Sequence, residues 1–313
     1  MRAAVIRELG EAPEVADVPD PADGILVEVL AAPLNPIDIA VASGRAPAGH
    51  PPLPYVPGCE AVGRRRDSGE LVWVFGGGIG MKRDGGVAEL VSGADSSTYR
   101  IPADADPAVA ATLGIAGLAG WLPFVWRAPV REGETVLVLG ATGTVGFIAV
   151  QAARLLGAGR VVAAGRSPEG LERAAHAGAD ATVAIGEGDF ADQLREACGE
   201  DGPTLIFDPL WGEPAGAAAE VAARGARIVQ LGQSAGATAP VTSAAIRFKG
   251  LEILGYSDFN VPREVLEVEY ARLVRHATAG DIEVDVERVP LDHIAEAWSR
   301  QANGPRRKLV VVP

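Results

Sequence analysis

The chain has 313 residues, with 28 Lys and Arg against 41 Asp and Glu and a formal net charge of −13. That length is about twice a common domain, so two domains are expected, and the acidic balance argues against nucleic acid or anionic membrane as a general partner. Two cysteines, Cys59 and Cys198, provide no disulfide framework and fit no CxxC metal site.

The opening MRAAVIRELG reads as a short strand and turn without the long apolar stretch of a signal peptide. No apolar run of about 20 residues is apparent elsewhere, so the cytoplasm is the expected location. The first 110 residues are rich in Pro and Gly, with short apolar runs at Ile25–Leu30, Leu71–Phe75 and Val87–Val91. Short strands with such punctuation predict a compact, barrel-like β domain. The basic cluster Arg64–Arg66 is cut off by Asp67 and Glu70 and reads as a solvated turn.

After Arg131 the texture changes. Apolar strands at Thr135–Leu139, Arg160–Ala164, Ala181–Ile185, Thr204–Asp208, Arg227–Leu231 and Glu252–Gly255 alternate with helical patterns such as Val145–Leu156, Glu169–His176 and Phe190–Ala197. This alternation predicts an α/β fold with a parallel sheet covered on both faces. The tail reads as helix Glu264–Thr278, strand Glu283–Val289, helix Leu291–Gln301 and strand Lys308–Val312. There is no internal repeat, coiled-coil heptad or low-complexity segment.

The strongest local signal is TVLVLGATGTVG, a strand feeding a turn with Gly140, Gly143 and Gly146 and then a helix. Glycine serves there for the sharp turn, for close approach to a diphosphate and for tight helix–strand packing. The helix N-terminus turns its free N–H groups towards the phosphates. At the end of the second strand, where NAD sites carry an acidic residue, this chain has Gly165, Arg166 and Ser167. Without a carboxylate there is no repulsion of a 2′-phosphate, and Arg166 offers a bidentate partner, so NADPH is the expected cofactor.

The chain resembles the medium-chain dehydrogenase/reductase superfamily, in its zinc-independent quinone oxidoreductase (zeta-crystallin-like) branch. The matching stretches are AAPLNPIDIAVASG, PYVPGCEAVG, DGGVAEL, GATGTVG, HAGADATV, FDPLWG, IVQLGQSAG and PRRKLVVVP, in family order over nearly the whole chain. The resemblance implies a GroES-like β-barrel catalytic domain from residues 1–115 and 262–313. It implies a Rossmann domain with a doubly wound parallel sheet, binding NADPH, over residues 116–261. Zinc-dependent relatives carry Cys at the position of Asn35, His at that of Cys59 and a third ligand near Ile115. Here only Cys59, with Glu60 beside it, is retained, so no metal is expected, and Cys59 reads as a packed thiol.

Asn35 matches the family's NPxD motif, which implies a place beside the nicotinamide ribose and a catalytic orienting role. Asp38 is assigned to anchoring the loop. The pocket Tyr of many relatives is replaced by Ala46, and Tyr55 is the candidate substitute. Family position further implies that Thr142, Gly143, Thr144 and Val145 cradle the diphosphate, and that Leu231, Gly232, Gln233 and Ser234 flank the nicotinamide side. Lys308 aligns with a family Lys and is assigned a structural role. The implied partner is a small electrophilic acceptor, a quinone or α,β-unsaturated carbonyl; the implied assembly is a homodimer joined through the sheet edge at Glu252–Gly255.

Three other readings are open. A short-chain reductase fits poorly, since about 135 residues precede the glycine turn and none of Tyr55, Tyr99, Tyr256 or Tyr270 has Lys four residues on. A cofactor-binding protein with little turnover is favoured by the missing pocket Tyr. An enoyl reductase within a biosynthetic pathway has the same motifs.

Overall fold

A computed structural model describes residues 1–313. The chain forms two compact units: residues 1–116, 261–280 and 284–313 make the first, and residues 117–260 with 281–283 the second.

In chain order, the strands of the first segment are β1 (Arg2–Val5), β2 (Glu14–Asp17), β3 (Ile25–Pro33), β4 (Glu60–Arg65), β5 (Leu71–Phe75), β6 (Leu90–Gly93) and β7 (Thr98–Arg100). Helices α1 (Pro36–Ala42) and α2 (Pro107–Thr112) accompany them. The second unit runs α3 (Leu118–Leu122), β8 (Thr135–Leu139), α4 (Thr144–Leu155), β9 (Arg160–Gly165), α5 (Pro168–His176), β10 (Ala181–Ala184), α6 (Phe190–Cys198), β11 (Leu205–Asp208), α7 (Gly212–Val221), β12 (Arg227–Gln230), α8 (Ser243–Lys249) and β13 (Glu252–Gly255). The chain then returns to the first unit through α9 (Arg263–Ala279), β14 (Val286–Pro290), α10 (Ile294–Ala302) and β15 (Lys308–Val312).

The first unit is built on a seven-stranded sheet ordered β14-β15-β3-β4-β5-β7, with β6 also paired to β3; β1 and β2 form a separate ribbon. β3 carries half-buried alternation at its start and full burial at its end, where β15 pairs with Ala32 and Pro33. Its core gathers Val27, Leu34, Val74, Trp298 and Val311 among others. The run expected as a strand at Val87–Val91 pairs as β6 only from Leu90. Val87 N–H donates instead to the Pro57 carbonyl, and Val87 carbonyl accepts from Ala4 N–H.

The second unit is a six-stranded sheet ordered β10-β9-β8-β11-β12-β13, and every pairing is parallel. From β8 the chain winds outwards one way to β10, and from β11 the other way to β13. This is the doubly wound Rossmann arrangement, whose switch point lies between β8 and β11. β8 and β11 are almost wholly buried, which is why they read as continuous apolar runs rather than alternating ones.

One sequence expectation needs correction. Residues Pro107–Arg127 form a 21-residue helical stretch that contains an 18-residue window of mean hydropathy 1.8, long and apolar enough to match a membrane span. Of that window 83 % is buried within the protein, and the stretch breaks its helical geometry at Gly114 (ψ −117°), so it is a core element.

Candidate active site

In the second unit, β8 ends at Leu139 and is followed by Gly140, whose φ of +66° favours glycine. Gly143 caps α4 with φ −90° and no side-chain acceptor stands over the helix. Phe147 N–H bonds back to the Gly143 carbonyl, whereas the N–H groups of Thr144, Val145 and Gly146 find no acceptor. Three donors and the positive helix end thus converge on one spot, which suits an anion. Gly146 also serves packing, since a Cβ there would stand 2.2 Å from the Gly140 carbonyl oxygen. Thr142 turns its side chain inward, so that a Cβ on Gly165 would meet Thr142 Cγ2 at 2.3 Å and one on Gly170 would meet Thr142 Cβ at 2.6 Å. The threonine packs the ends of β8, β9 and α5 together.

At the end of β9, Gly165 is buried and Arg166 is exposed. Arg166 has no carboxylate, carbonyl or ring partner in the structure. Ser167 Oγ accepts Gly170 N–H at 3.2 Å and caps α5, which leaves its own O–H free to donate.

Beyond β11, Asp208 Oδ1 accepts from Leu210 N–H at 2.9 Å and Trp211 N–H at 2.8 Å. Its Oδ2 is buried without a partner, and burial pushes the carboxyl above its usual range. The Asp208–Gly212 loop supports the loop after β12: Leu231 N–H donates to the Asp208 carbonyl at 3.0 Å and Ala235 N–H to the Leu210 carbonyl at 2.8 Å. Gln233 and Ser234 are exposed at the tip, with Leu231 and Gly232 half-buried behind them.

In the first unit, β3 delivers Asn35 to a buried polar cluster. Asn35 Nδ2 donates to Glu60 Oε1 at 2.8 Å, and Lys308 Nζ donates to Asn35 Oδ1 at 2.5 Å and to the Leu34 carbonyl at 2.8 Å. Glu60 Oε2 accepts from Trp73 Nε1 at 2.7 Å and from Ile115 N–H at 2.9 Å. Asp38 accepts Asn35 N–H on one oxygen and Cys59 N–H on the other, at 2.7 and 2.8 Å, and so ties the loop as expected. Burial pushes Glu60 up to about 7 and Lys308 down to about 8, each moderated by the other's charge. The Cys59 thiol is raised by burial and by Asp38, the reverse of an activated nucleophile.

Asn35 is therefore a fully engaged side chain, 1 % exposed. Tyr55 is 2 % exposed and lies in the hydrophobic core, and its hydroxyl has no partner. Burial raises its phenol further. As placed, neither presents a polar group to solvent.

With this geometry fixed, comparison with known proteins is informative. Residues 144–271 match the zinc-binding dehydrogenase family, a stretch that excludes Asn35, Cys59 and Glu60. Human (Homo sapiens) quinone oxidoreductase is 28 % identical over 316 residues, covering 97 % of this chain and 94 % of the human protein. Mouse (Mus musculus) quinone oxidoreductase is 31 % identical over 245 residues, covering 74 % of this chain and 73 % of the mouse protein. This chain belongs to the quinone oxidoreductase branch of the medium-chain dehydrogenase/reductase superfamily. It is an oxidoreductase. A mycobacterial protein solved in complex with NADPH superposes with a TM-score of 0.86 at 26 % identity, covering 100 % of both chains.

In this medium-chain dehydrogenase/reductase the structure adds residues that no sequence motif ties to Asn35 or to the glycine turn. Glu60 and Trp73 complete the Asn35 cluster, and Glu60 ties in the backbone at Ile115. Asp208 holds the Pro209–Gly212 loop beside the glycine turn through the Leu210 and Trp211 N–H groups. Lys308 was legible only as a family lysine. Nothing in sequence spacing links it to Asn35.

Proposed function

We propose that this protein is an NADPH-dependent reductase that passes hydride to a quinone or α,β-unsaturated carbonyl without zinc. The observation that carries the cofactor is the three unpaired N–H groups opening α4, beside a β9 end with an unpartnered guanidinium and no carboxylate. The NADPH complex of the mycobacterial relative supports the same reading. Bound NADPH supplies the hydride. Thr144, Val145 and Gly146 hold its diphosphate, Arg166 and Ser167 its 2′-phosphate, and Gln233 and Ser234 the nicotinamide side.

Zinc independence is supported by the donor set. Both Glu60 oxygens are taken by Asn35, Trp73 and Ile115, Asp38 is taken by backbone N–H groups, and the Lys308 ammonium already supplies a cation. No three His, Cys, Asp or Glu side chains gather to hold a metal. Without a Lewis acid, conjugated acceptors that are already polarised are the easier substrates. The homodimer is supported by the edge strand β13, where Ile253 is 39 % exposed, and by α8 beside it, which buries no residue and leaves Phe248 68 % exposed.

The test is NADPH oxidation by purified protein, before and after chelation, against quinones, enones and simple ketones. Turnover with the first two classes, unchanged by chelation, is expected. Chelator-sensitive oxidation of simple alcohols with no quinone or enone reduction refutes the proposal. The enclosed Tyr55 hydroxyl and saturated Asn35 amide favour a second reading, cofactor binding with little turnover. NADPH binding with no consumption by any acceptor selects it.

A further inference from the structure

Trp211 is the single non-glycine residue of the chain with positive φ, at φ 55° and ψ −152°. Side chains are strongly disfavoured there, most of all bulky ones, and such strain persists only where the surroundings impose it. Asp208 imposes it, holding Trp211 N–H at 2.8 Å, while Gly212 turns the next residue at φ +64°, where a Cβ would stand 2.8 Å from the Ala235 carbonyl oxygen. The indole gains little inside the protein in return. It is partly exposed, makes no hydrogen bond or ring contact, and is absent from the core cluster on which its neighbour Leu210 packs.

Its place in the fold gives that side chain a use. Trp211 stands three residues past the end of β11, at the switch point where open α/β sheets take their ligands. Pro209, in the same loop, fills the space between two glycines: a Cβ on Gly140 would lie 3.1 Å from Pro209 Cγ, and one on Gly232 would lie 2.4 Å from the Pro209 carbonyl oxygen. The loop thus separates the diphosphate turn from the loop after β12. Arg166, assigned to the 2′-phosphate, ends β9 on the opposite side of β8, so the adenosine half lies that way. What remains over β11 and β12 is the nicotinamide half.

We propose that Trp211 is a cofactor-binding residue whose indole walls the nicotinamide–ribose half of NADPH, with backbone strain the cost of presenting it. This rests on the reading of the α4 turn as the NADPH site and adds a residue to it. The test titrates the full-length protein, its W211G variant and its W211F variant with NADPH and with adenosine 2′,5′-bisphosphate, which lacks the nicotinamide half. Glycine adopts this φ and ψ freely, so W211G is expected to fold. It should bind NADPH about tenfold more weakly, the usual scale for a lost aromatic stack, and bind the bisphosphate as before. W211F should keep NADPH affinity within about threefold, because a ring remains. W211G binding NADPH like wild type, or losing both ligands equally, overturns the proposal, as does W211F behaving like W211G. Wild type that binds neither ligand removes the cofactor reading itself, a result separable from failure of Trp211 alone.

Discussion

Lys308 Nζ lies 2.5 Å from Asn35 Oδ1, although 273 residues separate the two in sequence. Lysine can only donate and the Glu60 carboxylate can only accept, so together they fix which end of the Asn35 amide points which way. The amide is held as a bridge between two opposite charges in a dry site.

Removing the cation should therefore be strongly destabilising. Lys308→Met leaves Asn35 Oδ1 and the Leu34 carbonyl buried without their donor, and each buried acceptor left unsatisfied costs about 1–3 kcal/mol. Urea unfolding measures the loss. A change below about 1 kcal/mol would mean that the cluster is hydrated and behaves like a surface pair.

The cluster should also shape stability against pH. Glu60 stands at about 7 rather than 4.5 because it is buried, so the folded chain binds this proton more tightly than the unfolded chain. Its contribution is full below about pH 4.5 and is lost as pH rises through about 7. Lys308, pushed down to about 8 from 10.5, acts oppositely: stability rises between about pH 8 and 10.5. Glu60→Gln should flatten the acid-side decline, by about 3 kcal/mol over that window, in unfolding free energies measured across pH. An unchanged slope rejects Glu60 as its source.

Cofactor choice should follow Arg166. Loss of a charge-assisted, bidentate hydrogen bond costs about 1.5–3 kcal/mol, so Arg166→Ala should weaken NADPH binding by about tenfold or more and leave NADH affinity unaltered. Equal effects on both nucleotides would show that the guanidinium does not read the 2′-phosphate.

Two glycines of the turn should respond differently. A Cβ at Gly143 meets nothing nearer than the Gly140 carbonyl oxygen at 3.7 Å, whereas at Gly146 that oxygen is 2.2 Å away. Gly146→Ala should destabilise the fold by about 1–3 kcal/mol. Gly143→Ala should stay within about 0.5 kcal/mol of wild type while losing NADPH affinity, because the methyl group stands where the diphosphate must approach. Thermal unfolding and nucleotide titration separate the two, and equal destabilisation by both would contradict this division of roles.

The exposed edge gives a further expectation. Ile253→Lys on β13 should convert a dimer to a monomer in light scattering, since a charge on an edge strand blocks pairing. A wild type that is already monomeric, or a variant that stays dimeric, removes β13 as the interface.

Much of the second unit was legible because its strands are covered on both faces. Thr135–Leu139, buried almost throughout, has the bounds expected from sequence, and the glycine turn announces itself by spacing. Other elements hid for physical reasons. The apolar stretch after Pro107 has no polar face to set a period, and α7 (GEPAGAAAEV) is too rich in Gly and Ala to show a strong amphipathic stripe. The Asn35 cluster was half visible: Asp38 lies three residues away, within one capping turn, but Glu60 and Lys308 meet Asn35, and Trp73 meets Glu60, only through the fold. The strain at Trp211 is invisible in sequence, because a dihedral angle is not written in a residue name.

The position of β15 also governs the order in which this protein can be made. Because it lies between β3 and β14, the first unit cannot close its sheet, nor Asn35 receive its lysine, until Lys308–Val312 have left the ribosome. By then the strands of the second unit are all synthesised, so the nucleotide-binding unit is free to fold first. The earliest-made segment waits with an open sheet edge, and a nascent chain stalled before Lys308 should be captured by chaperones or aggregate.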